Sequence, residues 1–227
     1  MNNLGSRMKN NYESRSRNFL TRRIPVILRL DGKAFHTFTR NFDKPFDNEL
    51  SHCLEYACKK LACHIQGAKC AYIQSDEVSY LITDKNRLNT EAWFNYNVQK
   101  MCSVASSIFT ANFNFVMSKT PHLAYFDARV FNIPKEEVVN YFVWRHKDWV
   151  RNSVQMLTRH YYSHNDCIDK DISDMHEMLY QKGVNWVNLD NEWKNGNFLR
   201  FDGKKSFTPS NFNDIREDIE QMIEPKE

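Results

Sequence analysis

Two short stretches of this chain carry residue types suited to phosphate chemistry. The first, VILRLDGKAFHTF (26–38), ends an apolar run on Asp31 and Gly32 and places Lys33 and His36 just beyond. The second, YIQSDEVSYLI (72–82), sets Ser75, Asp76 and Glu77 between two apolar runs. Carboxylates brought together from distant parts of a chain repel unless a cation lies between them. Oxygen ligands of this kind suit Mg²⁺, which takes one or two carboxylates and completes its shell with water and substrate phosphate. Two such ions, about 4 Å apart, would activate an attacking oxygen and stabilise a departing pyrophosphate. Gly32 fits this reading, since a residue without Cβ lets a ligand approach the main chain closely. The amides that follow could cradle triphosphate oxygens. Lys33, His36, Lys44 and Lys100 are candidate cations for that triphosphate. Adjacent strand residues face opposite sides, so Glu77 either supports the site from behind or stands apart from it. Each motif also has an ordinary reading. Asp-Gly after a strand is a common turn signal, Ser-Asp-Glu can be a solvated loop, and His36 can be structural.

The elements that must position these residues follow from periodicity. IPVILRLD reads as a buried strand with Pro25 at its edge. Leu50, Cys53, Leu54, Ala57, Leu61 and Ile65 recur at three- and four-residue steps, predicting an amphipathic helix capped by Asp47 and closed by Gly67. Runs 70–74 and 78–83 predict a hairpin whose turn holds the acidic pair. A second helix is expected over 91–111, a short strand at FNFVM (113–117) and another strand at AYFDARVFNI (124–133). Pro134 then opens a long helix running to about Tyr162, with Lys147 as a candidate break. A further helix is expected at DISDMHEMLYQKG, and loops or short hairpins over 188–214. The order gives an α+β fold, a ferredoxin-like βαββαβ domain with an α-helical C-terminal elaboration. The division expected is a basic leader at 1–23, a catalytic domain at 24–140 and a helical, loop-rich segment at 141–227 packed on it. In this topology the first strand and the hairpin are neighbours, so Asp31 and Asp76 can face one another.

Composition narrows the class. The 227 residues are 41% hydrophobic and 14% aromatic, enough for a real core, and no apolar run approaches the ~20 residues of a membrane span. No membrane partner is expected. The 6 cysteines form no CxxC pair, so reduced and mostly buried thiols are expected in place of a disulfide framework or zinc site. A net charge of +3 identifies no partner. Its distribution says more: Arg7, Lys9, Arg15, Arg17, Arg22 and Arg23 stand against Glu13 alone, either a surface for a polyanion or a solvated terminus. With no apolar leader, a cytoplasmic location is expected, the Arg and Ser content of the start leaving a mitochondrial one open.

RLDGKAFHTFTRNFDKPFD, YIQSDEVSYLI, YFDARVFNIP and WRHKDWVRNSVQML, in that order, resemble blocks of the tRNA-His guanylyltransferase superfamily. The resemblance implies a polymerase-type palm that binds two Mg²⁺ through Asp31, the Gly32 carbonyl and Asp76. It further implies that nucleotide contacts come from Asp31, Gly32, Lys33, Ala34, Phe35, His36, Ser75 and Asp76. Arg29, Lys44, Lys100 and Asn152 match positions associated with the triphosphate or with 5′-end activation. The substrates implied are ATP, GTP and other NTPs, with tRNA or another structured RNA as partner and a homotetramer as the assembly. Where the family carries a HINNLYN-type block, this chain has Val150 in place of the His and keeps one Asn as Asn152. In WFNYNVQK a family Arg is replaced by Asn97. The departure at Val150 is similar to the Thg1-like branch, implying template-dependent 3′-to-5′ addition to RNA 5′ ends and repair of 5′-truncated tRNAs. Guanylylation restricted to tRNA-His and a palm-domain nucleotidyl cyclase are the alternative enzymes, and a non-catalytic RNA binder the alternative outside catalysis. Arg129 and Arg145 are weaker candidates, for RNA contact or internal pairing.

Overall fold

A computed structural model describes residues 3–87, 89–201 and 213–224. Its centre is one antiparallel sheet. The strands are β1 (Val26–Gly32), β2 (Ala68–Gln74), β3 (Glu77–Ile82), β4 (Phe126–Asn132) and β5 (Asn197–Arg200), in the order β4-β1-β3-β2-β5. The first four, with the helices between them, make the expected βαββαβ unit. β5 arrives from far along the chain to pair with β2, Ile73 opposite Asn197 and Cys70 opposite Arg200.

The helices are α1 (Leu4–Asn11), α2 (Phe35–Phe38), α3 (Asn48–Ala62), α4 (Val98–Val116), α5 (Lys135–Tyr161), α6 (Ile172–Gln181), α7 (Asn191–Asn195) and α8 (Asn213–Ile223). Asp47 caps α3 as its sequence predicts, its side chain accepting from the Leu50 amide at 2.9 Å. Asp171 and Asp174 form a capping box on α6.

Strand alternation sends β1 side chains to two cores. Val26, Leu28 and Leu30 pack with Leu54, Ala57 and Leu61 of α3 and with Met101, Ala105, Phe109 and Phe113 of α4. Ile27 faces the other way, into a core with Val138 and Phe142 of α5 and Ile215 and Ile219 of α8. By the same period of two, Arg29 and Asp31 share the α5 face with Ile27. Beyond the sheet, Val154 and Leu157 of α5 pack with Met175 and Leu179 of α6 in a smaller core.

Several sequence expectations change. FNFVM is the last turn of α4 and not a strand. Phe113 continues the four-residue step from Phe109, and the Asn114 side chain exchanges hydrogen bonds with both the amide and the carbonyl of Ala124 at 2.8 and 2.9 Å. Helical periodicity thus outweighs the local strand propensity of Phe and Val. The expected helix over 91–111 begins later, at Val98, after a turn at Trp93–Tyr96 in which Phe94, Asn95 and Tyr96 are left-handed, φ 51°, 50° and 57°. α5 is continuous through Lys147. The basic leader contains α1, none of whose residues is buried, and the end of the chain contains α8. The region expected as loops or short hairpins holds α7 and β5 before it passes, at 202–212, outside the described residues. Among the described residues no cysteine is in a disulfide, and Cys53, Cys58, Cys70 and Cys167 are buried.

Candidate active site

The end of β1 and the β2–β3 turn meet at one edge of the sheet. Asp31 lies opposite Glu77 in the β1–β3 register, and the Gly32 amide donates to the Asp76 carbonyl at 3.2 Å. The Lys33 amide donates to the Tyr125 carbonyl at 2.8 Å, tying the residues after β1 to the start of β4. Close packing explains Gly32: a Cβ there would lie 2.2 Å from the Phe35 ring. That ring is buried against Phe126 and Phe38 at centroid distances of 5.0 and 5.1 Å. Ala34 and Ser75 take left-handed backbone angles, φ 53° and 48°, so both segments turn sharply beside the acidic pair.

Charge around the pair is arranged in layers. Burial pushes the Asp76 carboxyl up, and the neighbouring Asp31 charge adds to this, while its own amide, the Ser75 hydroxyl and Arg29 oppose it. Behind Asp31, Arg29 Nη2 donates to Asp31 Oδ2 at 3.0 Å and to Glu77 Oε2 at 2.8 Å. Glu77 is buried and is gripped on both oxygens by Arg145 of α5, at 2.7 and 2.8 Å. Burial raises the Glu77 carboxyl, and the two arginines work against that shift. Removing one member of such a buried pair typically costs about 3–5 kcal/mol.

Asp31, Asp76 and the Gly32 backbone fit a hard divalent cation. Among the described residues no three His, Cys, Asp or Glu side chains converge as a metal cluster, so a cation here would rely on the two carboxylates and on backbone, water or phosphate oxygen. Burial, with a smaller contribution from the Asp31 charge, disfavours the ionised form of Asp76, and a cation bound beside both carboxylates would favour it.

A cleft opens from Asp76 past the first turns of α3 toward α5 and α7. Its wall includes Lys44, Phe46, Ser75, Trp149 and Trp193. Phe46 stacks on Trp193 at 4.9 Å with an interplanar angle of 8°. Trp149 is buried, and its Nε1 hydrogen has no partner among the described residues. Lys44 Nζ is held by the Thr39 carbonyl at 2.9 Å.

The structure therefore brings together Asp31, Gly32, Lys33, Ala34, Ser75 and Asp76, with His36 exposed nearby and Lys44 in the cleft wall. Phe35 is a core residue that shapes the turn. Arg29 is committed to two carboxylates. Asn152 sits on α5 with its Nδ2 3.4 Å from Asp148. Lys100 is not brought in. It lies in the first turn of α4, and about 20 Å of helix separates it from Phe113, which packs on Phe35. Arg145, at 5% exposure, is an internal ion-pair residue and not an RNA contact. Arg129 forms a surface pair with Asp127 at 3.3 Å. Sequence reasoning missed Gln74 and the aromatic wall. Gln74 stands opposite Glu77 in the hairpin and, with its amide in the satisfied orientation, accepts from Arg145 Nη2 at 2.6 Å. The hairpin register could have found Gln74, but nothing local pairs Phe46 with Trp193.

The family model for tRNAHis guanylyltransferase (Thg1) matches residues 5–134, more than half of the chain and all of β1 to β4. The chain belongs to the Thg1 family. The Thg1 family is one of nucleotidyltransferases, and the antiparallel sheet with its helices matches solved Thg1 structures. A bacterial tRNA(His) guanylyltransferase (Thg1)-like protein in complex with ATP is similar over 97% of this chain and 99% of its own, at 39% identity and TM-score 0.92. The corresponding complex with GTP covers 97% and 98% at 39% identity and TM-score 0.84. Among curated relatives, the tRNA(His) guanylyltransferase of Kluyveromyces lactis is 29% identical over 202 residues, 79% of this chain and 83% of the relative. Among the described residues no helix is long and apolar enough to cross a membrane.

Proposed function

We propose that this Thg1-family protein adds nucleotides to RNA 5′ ends in the 3′-to-5′ direction, using a complementary strand as template, with 5′-truncated tRNA as the substrate class. The observation that carries this is the meeting of Asp31, the Gly32 backbone and Asp76, the last of which lines a cleft together with Lys44 and Ser75. The ATP and GTP complexes of the similar bacterial proteins support nucleotide use. Val150, where the family carries His, favours a template-directed reaction over one restricted to tRNA-His.

In the first step a 5′-monophosphate oxygen of the RNA attacks the α-phosphorus of ATP or GTP. A 5′–5′ anhydride forms and pyrophosphate leaves. In the second, the 3′-hydroxyl of a template-paired NTP attacks the RNA 5′ phosphorus. A phosphodiester forms, and the activating nucleotide departs as its monophosphate. Mg²⁺ held by Asp31, the Gly32 carbonyl and Asp76 would supply Lewis acidity for the attacking and leaving oxygens. The protein's own part is positioning and charge stabilisation. Lys44 and Ser75 would meet triphosphate oxygens in the cleft, and Lys33 and His36, both exposed after β1, are the cations assigned to the incoming nucleotide. The Lys33 amide is already bonded to the Tyr125 carbonyl, so the amides that would meet phosphate are those of Ala34, Phe35 and His36, at the left-handed turn into α2.

The test is extension of a panel of 5′-truncated tRNAs with labelled NTPs, comparing tRNA-His with others and templated with untemplated positions. Asp31→Ala and Asp76→Ala should each abolish label incorporation while the protein stays folded by circular dichroism. Near-normal incorporation by both variants would overturn the site. A cyclic nucleotide formed from NTP without RNA would overturn the reaction.

A further inference from the structure

Asp31 has a charged partner within the protein. Its Oδ2 accepts from Arg29 Nη2 at 3.0 Å, and among the described residues its Oδ1 makes no hydrogen bond. The same Arg29 nitrogen lies 2.8 Å from Glu77 Oε2, so the guanidinium is divided between two carboxylates. Glu77 does not move to suit Arg29, because Arg145 forks both of its oxygens and is itself fixed by Asp148 at 3.1 Å and by the ring of Trp144 at 4.4 Å. A continuous ion-pair chain thus runs from α5 through β3 to the end of β1. Its sign pattern matters. An arginine paired to Asp31 alone would be a fixed competitor for any cation, whereas one shared with Glu77 leaves Asp31 with excess negative charge and one free oxygen.

We propose that Glu77 is a positioning residue, which draws part of the Arg29 charge away from Asp31 and so sets the affinity of the site for its divalent cation. This rests on the metal-site reading of Asp31 and Asp76 above. It assigns Glu77 a role through Arg29, with no contact to nucleotide or cation. Residues that orient metal ligands from behind typically change metal affinity by 10–100-fold when altered.

The experiment is titration of the full-length protein with Mn²⁺ alone, free ion being read by electron paramagnetic resonance, without RNA or nucleotide. Glu77→Gln should weaken Mn²⁺ binding about tenfold or more, because Arg29 then serves Asp31 only. The double variant Arg29→Gln/Glu77→Gln should recover affinity to within about threefold of the parent, since competitor and balancing charge are removed together. If Glu77→Gln does not fold, Glu77→Asp decides. Its shorter arm cannot reach both arginines, and it should weaken binding about threefold. A folded Glu77 variant whose Mn²⁺ affinity stays within twofold of the parent overturns the inference, as does a double variant no better than Glu77→Gln. Asp31→Ala separates the two readings. If it abolishes Mn²⁺ binding while Glu77 variants leave it unmoved, only the positioning role fails. If Asp31→Ala binds Mn²⁺ normally, the metal site itself is wrong.

Discussion

Gly32→Ala tests how tightly the site is built, because it leaves the Gly32 carbonyl in place and adds only a methyl group. That methyl would stand 2.2, 2.5 and 2.7 Å from three atoms of the Phe35 ring. To restore ordinary contact at 3.4 Å, ring and strand end must separate by about 1.2 Å. The ring cannot retreat freely. It is 5% exposed, with Phe126, Phe38 and Phe113 at centroid distances of 5.0, 5.1 and 5.9 Å. Overpacking of this kind costs about 1–3 kcal/mol, which for a chain of this size lowers the melting temperature by roughly 2–12 °C. The displacement also falls on the residue between Asp31 and Lys33, and a misplacement near 1 Å can cost on the order of 100-fold in rate. Thermal melts followed by circular dichroism, and single-turnover addition to a 5′-truncated RNA, read the two effects. Phe35→Leu provides the cycle: in that background Gly32→Ala should cost less than half as much, because the clashing ring is gone. A folded Gly32→Ala protein with parental melting temperature and addition rate would refute the steric account. So would an equal penalty in both backgrounds.

Two further outcomes follow from buried groups elsewhere. His146 is buried, and burial lowers its pKa from 6.5, the hydrogen bond with Asn195 opposing this in part. Below pH 6.5 the unfolded chain therefore binds the proton first, so stability should fall as pH drops from 7.5 to 5.5. Urea melts of His146→Gln should show a shallower fall than the parent, and parallel slopes would contradict the assignment. Burial pushes the Cys53 and Cys58 thiols up to about 11 and about 12. Alkylation at pH 8 followed by mass spectrometry should therefore modify exposed Cys63 first and reach Cys53 and Cys58 only after denaturation.

The helix pattern of α3, its Asp47 cap, the hairpin and the strand ending at Asp31-Gly32 were legible because each depends on neighbours within a few residues. Side-chain period, capping and turn chemistry are local. The acidic pair was legible too, since a βαββαβ order makes β1 and the hairpin adjacent. The FNFVM segment misled because Phe and Val favour strands locally, whereas packing on α3 and β4 holds it in the last turn of α4.

By itself the sequence determined the residue types at the site, their order and the family they belong to. Only the tertiary structure decided which charges answer which. Period-two alternation puts Arg29, Asp31 and Glu77 on one face, but the partner that fixes Glu77 comes from Arg145, 68 residues away. Likewise β5, Trp193 and the cleft wall reach β2 and Phe46 from the far end of the chain. Lys100 shows the converse, a cation whose type suits phosphate but which lies in the first turn of α4, about 20 Å of helix from Phe113, the residue of α4 that packs on Phe35. Charges act through distance and burial, and a sequence states neither until the chain has folded back on itself.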